Sequence, residues 1–371
     1  MATLLNVLSR IVRLKNRIYG DKINLKEIID LGYELSWKKT MTITPEFSIG
    51  CNGRGAIHTK PLSVDDQFRL VKESGVFDHF DRMPQPGEEQ EYLDAVQKHA
   101  LPLTTGLWSY VIGRDENVIE KNLRLCKEAG SDCHNLMIQT YHAEGHVVTD
   151  QEVVDFYRLA YELGEKVGIT IGFEVHIYMW SEDLRRVTPV AEMIRQEGIP
   201  FNFVLDHSHV LLKVDNPEEQ DASGIRDDVE SGLFIIDPYE EGNVIDEWIA
   251  QNMIIWLQIR PASPNGPKNP WQMNDLGTWG RACQYPFVRP APGEWHLSWY
   301  PYRVEPCKDV VRRVLRHHRD TPDSPLRWIT TDMIDMPDYG GGVNYSLFEQ
   351  NAAIATWFRE TWDEIKAESQ P

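Results

Sequence analysis

The chain has 371 residues, 42% of them hydrophobic, enough to bury a large core and far from the composition of a disordered chain. Lys and Arg number 38 against 57 Asp and Glu, a net charge of -19 that repels phosphate backbones and anionic membranes, so neither nucleic acid nor membrane is an expected partner. The five cysteines (Cys51, Cys126, Cys133, Cys283, Cys307) show no CxxC pairing, and no apolar run approaches the roughly 20 residues that span a bilayer, so reduced thiols and a cytoplasmic location are expected.

Leu4, Leu5, Leu8, Ile11 and Val12 recur at helical spacing in a basic N-terminus, which reads as a helical arm over 1–45 ahead of a single domain over 46–371. A targeting or oligomerisation arm is the alternative reading. Glu46–Cys51 is the first strand-like run, and Ser63–Glu73 a helix that Ser63 or Asp65 can cap. Val76–Phe80 precedes a helix over Glu88–His99, and Leu101–Val111 one over Glu116–Ala129. Cys133–Tyr141 precedes Thr149–Val167, where Glu152 stands in capping-box position to Thr149. Ile169–His176, a helix over Glu182–Gln196 and Phe201–His209 form a β-α-β unit whose strands are apolar enough to be buried on both faces. Met253–Arg260 and Leu326–Met333 are the seventh and eighth strands, and Tyr345–Lys366 is the closing helix.

Strands alternating with helices eight times predict an α/β fold, a (β/α)8 TIM barrel. An open doubly wound sheet is the second choice, but no Gly-rich phosphate loop follows an early strand. Two insertions interrupt the repeat: an acidic one over 215–247, and one over 261–306 rich in Pro, Gly, Trp and Tyr. In a barrel the second leaves from the catalytic face. Trp271, Trp279, Trp295, Trp299 and Tyr300 read as a lid or sugar-stacking platform, or else as aromatics packing the loop on itself or on a neighbouring subunit.

Side chains alternate across a strand, so Thr170, Gly172, Glu174 and His176 share one face, and Glu174 and Asp206 end adjacent strands. Burying both is costly unless something compensates, and a divalent metal ion shared by the two carboxylates is the expected compensation. His209 follows Asp206 closely enough to reach a ligand. Gln258 and Arg260 share a face of the seventh strand, and Arg260 paired with Asp206 or Asp332 is the rival to a metal. His79, Asp81, Trp108, Gln139, Tyr141 and His142 are candidate pocket liners. Ala-Glu-Gly between His142 and His146 reads as a loop rather than a second metal site, and His317 and His318, in a basic helix over Val310–Arg319, are expected to be solvated. No Gly-x-Ser-x-Gly, HExxH or Walker sequence occurs.

Glu-x-His at the fifth strand (Glu174, His176) followed by Asp-x-x-His at the sixth (Asp206, His209) resembles the xylose isomerase-like sugar isomerase and epimerase superfamily. The resemblance implies a TIM barrel with one divalent metal, often Mn2+, held on strands five to eight. Carried onto this chain, it implies Glu174 and Asp206 as the first two ligands, His209 as a substrate-contacting histidine and His176 as the histidine of a Glu-x-His subgroup. Trp256-Leu257-Gln258 stands where the family has His-x-Gln or His-x-His, which leaves Gln258 as third ligand. Asp332 stands where the family has Glu, with Asp335 as the alternative. Carboxylates and an amide suit Mn2+ or Mg2+, one ion per chain.

The implied reaction is isomerisation or epimerisation of a ketose or keto-sugar. Glu174 removes the proton beside the carbonyl, the metal stabilises the enediolate, and Asp332 returns the proton from the other face. His209, Trp108, His142, Arg260 and Trp295 are expected against the substrate. A lyase or dehydratase acting on a keto-sugar or keto-glycoside, C-glycoside cleavage included, is the alternative. A non-catalytic sugar-binding barrel is the second, which the seventh-strand substitution allows. A metal-dependent nuclease of the endonuclease IV type is disfavoured by the acidity. The expected partner is a small carbohydrate or glycoside, and a homo-oligomer is expected by resemblance.

Overall fold

The computed structural model describes residues 47–281 and 284–368; the helical arm expected over 1–45 lies outside them, as does Cys283. Eight strands close a barrel in sequence order: β1 (Ser48–Asn52), β2 (His79–Asp81), β3 (Leu103–Tyr110), β4 (Cys133–Ile138), β5 (Thr170–Glu174), β6 (Phe203–Asp206), β7 (Ile254–Ile259) and β8 (Trp328–Thr331). Every neighbouring pair is parallel, β8 returning to β1 through Ser48–Trp328 and Ile49–Ile329. No strand is left as an edge.

The helices around it are α1 (Val64–Ser74), α2 (Glu89–His99), α3 (Ile119–Glu128), α4 (Asp150–Val167), α5 (Val187–Gln196), the short α6 (Ser208–Leu211), α7 (Pro217–Ala222) and α8 (Arg226–Glu230), then α9 (Val244–Ala250), α10 (Glu305–Asp320) and α11 (Leu347–Ala367). Local chemistry sets their starts. Ser63 accepts the Asp66 N–H to open α1, and Thr149 with Glu152 forms a complete capping box on α4. The helix expected from Glu182 starts later, because Trp180–Glu182 and Leu184–Arg186 are separate 3-10 turns before α5. The sixth strand stops at Asp206, so His209 sits on α6 rather than on a strand.

On the outer elements one expectation is corrected, and for two aromatics the second of two readings is met. His318 is buried on the inner face of α10, its Nδ1 2.7 Å from the Ser324 hydroxyl, and His317 is half-buried rather than solvated. In the 261–306 insertion, Trp299 donates its indole N–H to the Pro286 carbonyl at 2.7 Å and Trp295 packs against Tyr285 and Tyr345. These two aromatics pack the insertion on itself and on the barrel. Trp271 and Trp279 remain exposed.

Apolar side chains fill the space between strands and helices, while the barrel interior is unusually polar. His79 bridges Ser48 and Thr105, and Asp81 is fully buried beside them. The candidate liners His79 and Asp81 are therefore interior residues and not part of a pocket wall.

Candidate active site

Polar side chains gather at the carboxyl ends of the strands. Asn52 ends β1, Asn135 lies on β4, Glu174 ends β5, Asp206 ends β6, Gln258 is one residue short of the end of β7, and Arg260 and Asp332 follow β7 and β8. All seven are buried. Arg260 places Nη1 3.1 Å from the Asp206 carboxylate and Nη2 against the Asp332 carboxylate, while its Nε donates to the Asp332 carbonyl oxygen at 3.0 Å. Its guanidinium carbon lies 4.1 Å from the centre of the Tyr339 ring. One guanidinium thus offsets two buried acids.

Amides hold Asp332 from a second side and Glu174 as well. The Asn52 side chain donates to Asp332 Oδ1 at 2.6 Å, and the Asn135 side chain donates to Glu174 Oε2. Asp206 also accepts from the Ser208 N–H at 3.0 Å and its hydroxyl at 2.6 Å, with His209 Nε2 3.2 Å away. His176 donates from Nδ1 to the Ile177 carbonyl at 2.5 Å, and the Tyr339 hydroxyl donates to its Nε2 at 3.1 Å. The His176 and His209 rings lie 4.1 Å apart.

Burial raises the Glu174 carboxyl well above the usual range, and the charges of Asp206 and Asp332 add to the rise. Burial also lifts Asp332 to about 6 against the pull of Arg260. Asp206 goes the other way: burial opposes its ionisation, but the Arg260 charge, helped by hydrogen bonds from His209 and Ser208, outweighs burial and holds it low. Burial pushes both His176 and His209 down, leaving neutral imidazoles near neutral pH.

A cavity of about 600 Å³ opens over this cluster. Glu174, His176, Gln258, Arg260, Asp332 and Tyr339 line it, together with Asn52, Arg54, Arg82 and Gln85 from the ends of β1 and β2. Asp206 and His209 contact Arg260 but are not in the wall. Gln139 lines the cavity, whereas Tyr141 is exposed to solvent.

Three residues expected against the substrate stand elsewhere. Trp108 alternates to the helix side of β3 and borders a separate cavity with Asn122 and Leu125. His142 lies in the loop after β4, its ring 4.5 Å from that of His146. Trp295 is buried within the long insertion. Asp335, the alternative to Asp332, accepts the Gly342 N–H and does not reach the cavity. Asn52, Asn135 and Tyr339 complete the cluster, and sequence reasoning missed all three. Strand alternation marks the first two; Tyr339 lies in the irregular loop after β8, where no period signals it.

The oxygens expected to share an ion are not assembled for one, because Arg260 takes both Asp206 and Asp332. Glu174, His176 and His209 do converge, each offering one ligand atom within 4.8 Å of the others. A carboxylate with two imidazoles fits a borderline divalent ion such as Zn2+ or Mn2+. The residues therefore fit a divalent ion through a donor set other than the expected one. His142, Glu144 and His146 show the same convergence on the exposed loop after β4.

No protein-family model and no curated protein matches the chain. Among solved structures the chain is similar to a 3-keto-D-glucoside 4-epimerase from E. coli in its apo form, at 13% identity and a TM-score of 0.47, over 85% of this chain and 100% of that one. It is also similar to a D-allulose 3-epimerase from Methylomonas sp. in complex with D-allulose, at 10% identity and 0.49, over 85% and 97%. A third is a xylose isomerase-like TIM barrel/4-hydroxyphenylpyruvate dioxygenase fusion protein, at 14% and 0.49, over 88% of this chain and 45% of that one. The likeness reaches no further than the barrel, which the strand order of this chain already defines. No helix among the described residues is long and apolar enough to cross a membrane.

Proposed function

We propose that the chain is an isomerase or epimerase that moves a proton at the carbon beside a carbonyl in a ketose or keto-sugar. The placement of Glu174 carries this reading: a buried carboxyl group, held by Asn135, on the wall of a cavity of about 600 Å³ shared with Gln258, Arg260 and Asp332. A positioned carboxyl group beside a fixed cation suits abstraction of a weakly acidic C–H proton. Glu174 in its ionised form takes the proton, its raised pKa making it the stronger base, and Asp332, steadied by Asn52 and Arg260, returns a proton from another direction when it is protonated. The Arg260 guanidinium offsets negative charge growing on the substrate oxygen, and the Gln258 amide orients a hydroxyl. A divalent ion on Glu174, His176 and His209, with Mn2+ the first to test, supplies Lewis-acid polarisation of the carbonyl when bound.

The Tyr339 hydroxyl, bonded to His176 at the cavity wall, favours a second reading. It is placed to protonate a leaving group after the same enolisation, as a lyase or dehydratase on a keto-sugar or keto-glycoside requires. The test is incubation of the full chain, with added Mn2+, with ketoses, keto-sugars and keto-glycosides, followed by product analysis. An isomer or epimer supports the first reading, an eliminated product the second. No turnover of any of them leaves the non-catalytic sugar-binding barrel. Glu174→Gln is expected to abolish turnover with the melting transition intact, and retained activity rules Glu174 out as the base.

A further inference from the structure

We propose, building on that reading of the cavity, that the substrate carries an oxyanion, a carboxylate or a phosphate group, and that Arg54 and Arg82 bind it at the side of the cavity opposite Glu174. Arg54 follows β1 in the 3-10 turn Gly53–Gly55, Arg82 follows β2 directly, and both line the cavity. In a closed ring of eight strands β1 stands half a turn from β5, which carries Glu174. One space therefore has a proton-transfer side and a cationic side.

Arg82 is held only by one long ion pair, and Arg54 by none among the described residues. Among the described residues Arg54 makes no ion pair or side-chain hydrogen bond, and the carboxylate nearest to Arg82, on Glu88, is 3.9 Å away. Glu88 is itself engaged, accepting the Gln85 N–H at 2.9 Å. Asp335 and Glu88, neither of them in the cavity wall, act on Arg54 only at longer range; the acids of the wall are Glu174, Asp332 and Asp338. Arg54 is solvent-exposed; partial desolvation and, less, the charge on Arg82 lower its pKa, so the two guanidinium groups act on each other across this side of the cavity. In a chain of net charge -19 such a pair facing a cavity is poorly placed for a neutral sugar. A carboxylate or phosphate between them removes the repulsion and accepts from both planar forks. The Gln85 amide on the same side adds a donor for the oxygen that remains.

The test is calorimetric titration of the full chain with D-fructose, D-fructose 6-phosphate and 2-keto-D-gluconate. At least one anionic ligand is expected to bind about tenfold more tightly than D-fructose, with an advantage that shrinks as salt is added. Preference for the phosphate alone identifies a phosphoryl group, and preference for the keto acid alone a carboxylate. Arg54→Gln with Arg82→Gln should erase the advantage, while Arg54→Lys with Arg82→Lys keeps part of it; a melting curve checks that both variants are folded. The proposal is overturned if neither anion outbinds D-fructose, absence of all binding included, or if the double Gln variant keeps the preference. Glu174→Gln separates this from the catalytic reading: the anion preference should survive in it. An anion preference without any C–H exchange in the wild type would count against proton transfer and leave the anion site standing.

Discussion

Arg260 lies between two buried carboxylates, and no other Lys or Arg among the described residues stands within ion-pair distance of Asp206 or Asp332. The imidazole of His209, 3.2 Å from Asp206, is kept neutral by burial and cannot replace the guanidinium. Removing one partner of a buried ion pair costs about 3–5 kcal/mol, since the charge left behind stays desolvated. Arg260→Leu is expected to lower stability by that order, read as a shift in the urea midpoint, and Arg260→Lys to recover only part, because an ammonium cannot fork to both acids. Asp81 is a different case: burial without a cation lifts it to about 7. Its folded pKa lies above its unfolded value, so the fold favours the protonated form, and a stability penalty builds as pH rises from about 4 to about 7. Asp81→Asn should therefore raise the melting temperature at pH 8, and the gain should fade toward pH 4.

Much of this cluster was legible from strand alternation alone. Glu174, Asp206, Gln258 and Asp332 all lie at strand ends, and Arg260 was already the rival to a metal. The choice between the two was not legible, since it depends on how a long side chain folds back across β6, β7 and β8. Arg54 and Arg82 were missed for a related reason: what distinguishes them is their place in the cavity wall with a single long ion pair, from Arg82 to Glu88, which only the packed structure shows.

At the level of elements, capping and packing make separable claims. Thr149 opens α4 with both halves of a capping box, so Thr149→Ala should cost about 1 kcal/mol in chemical denaturation. Gly164, inside the same helix, reverses the usual rule. Alanine normally improves a helix interior by up to about 1 kcal/mol. Here a Cβ would lie 2.6 Å from the Ile169 carbonyl oxygen and 2.7 Å from Ile171 Cγ1, where α4 turns into β5. Gly164→Ala is expected to destabilise by about 1–3 kcal/mol, and a stabilised variant would contradict the close packing. The helices and long strands were readable because their patterns are local. Element ends were less so: β2 keeps only His79 and Phe80 of the expected Val76–Phe80 and runs on to Asp81, and His209 moved onto α6 when β6 stopped at Asp206. Those boundaries follow from barrel register, which no single segment encodes.

For the whole molecule, eight alternations of strand and helix implied closure, and the parallel ladder from β8 back to β1 completes it. The two insertions were visible as breaks in the repeat, but the burial of Trp295 inside its loop was not, because an aromatic-rich loop has the same composition whether it covers a ligand or itself. Closure brings Asn52 and Asp332, 280 positions apart, into one site, and sets Glu174 and the pair Arg54 and Arg82 in one cavity wall. Proton transfer between Glu174 and a carbon beside a carbonyl is what the arrangement is proposed to perform. It is measured most directly by turning over a keto-sugar substrate in D2O and locating the label by NMR. The wild type is expected to place deuterium on the carbon next to the carbonyl, and Glu174→Gln to place none. Product formed without label, or equal labelling by the variant, would contradict it.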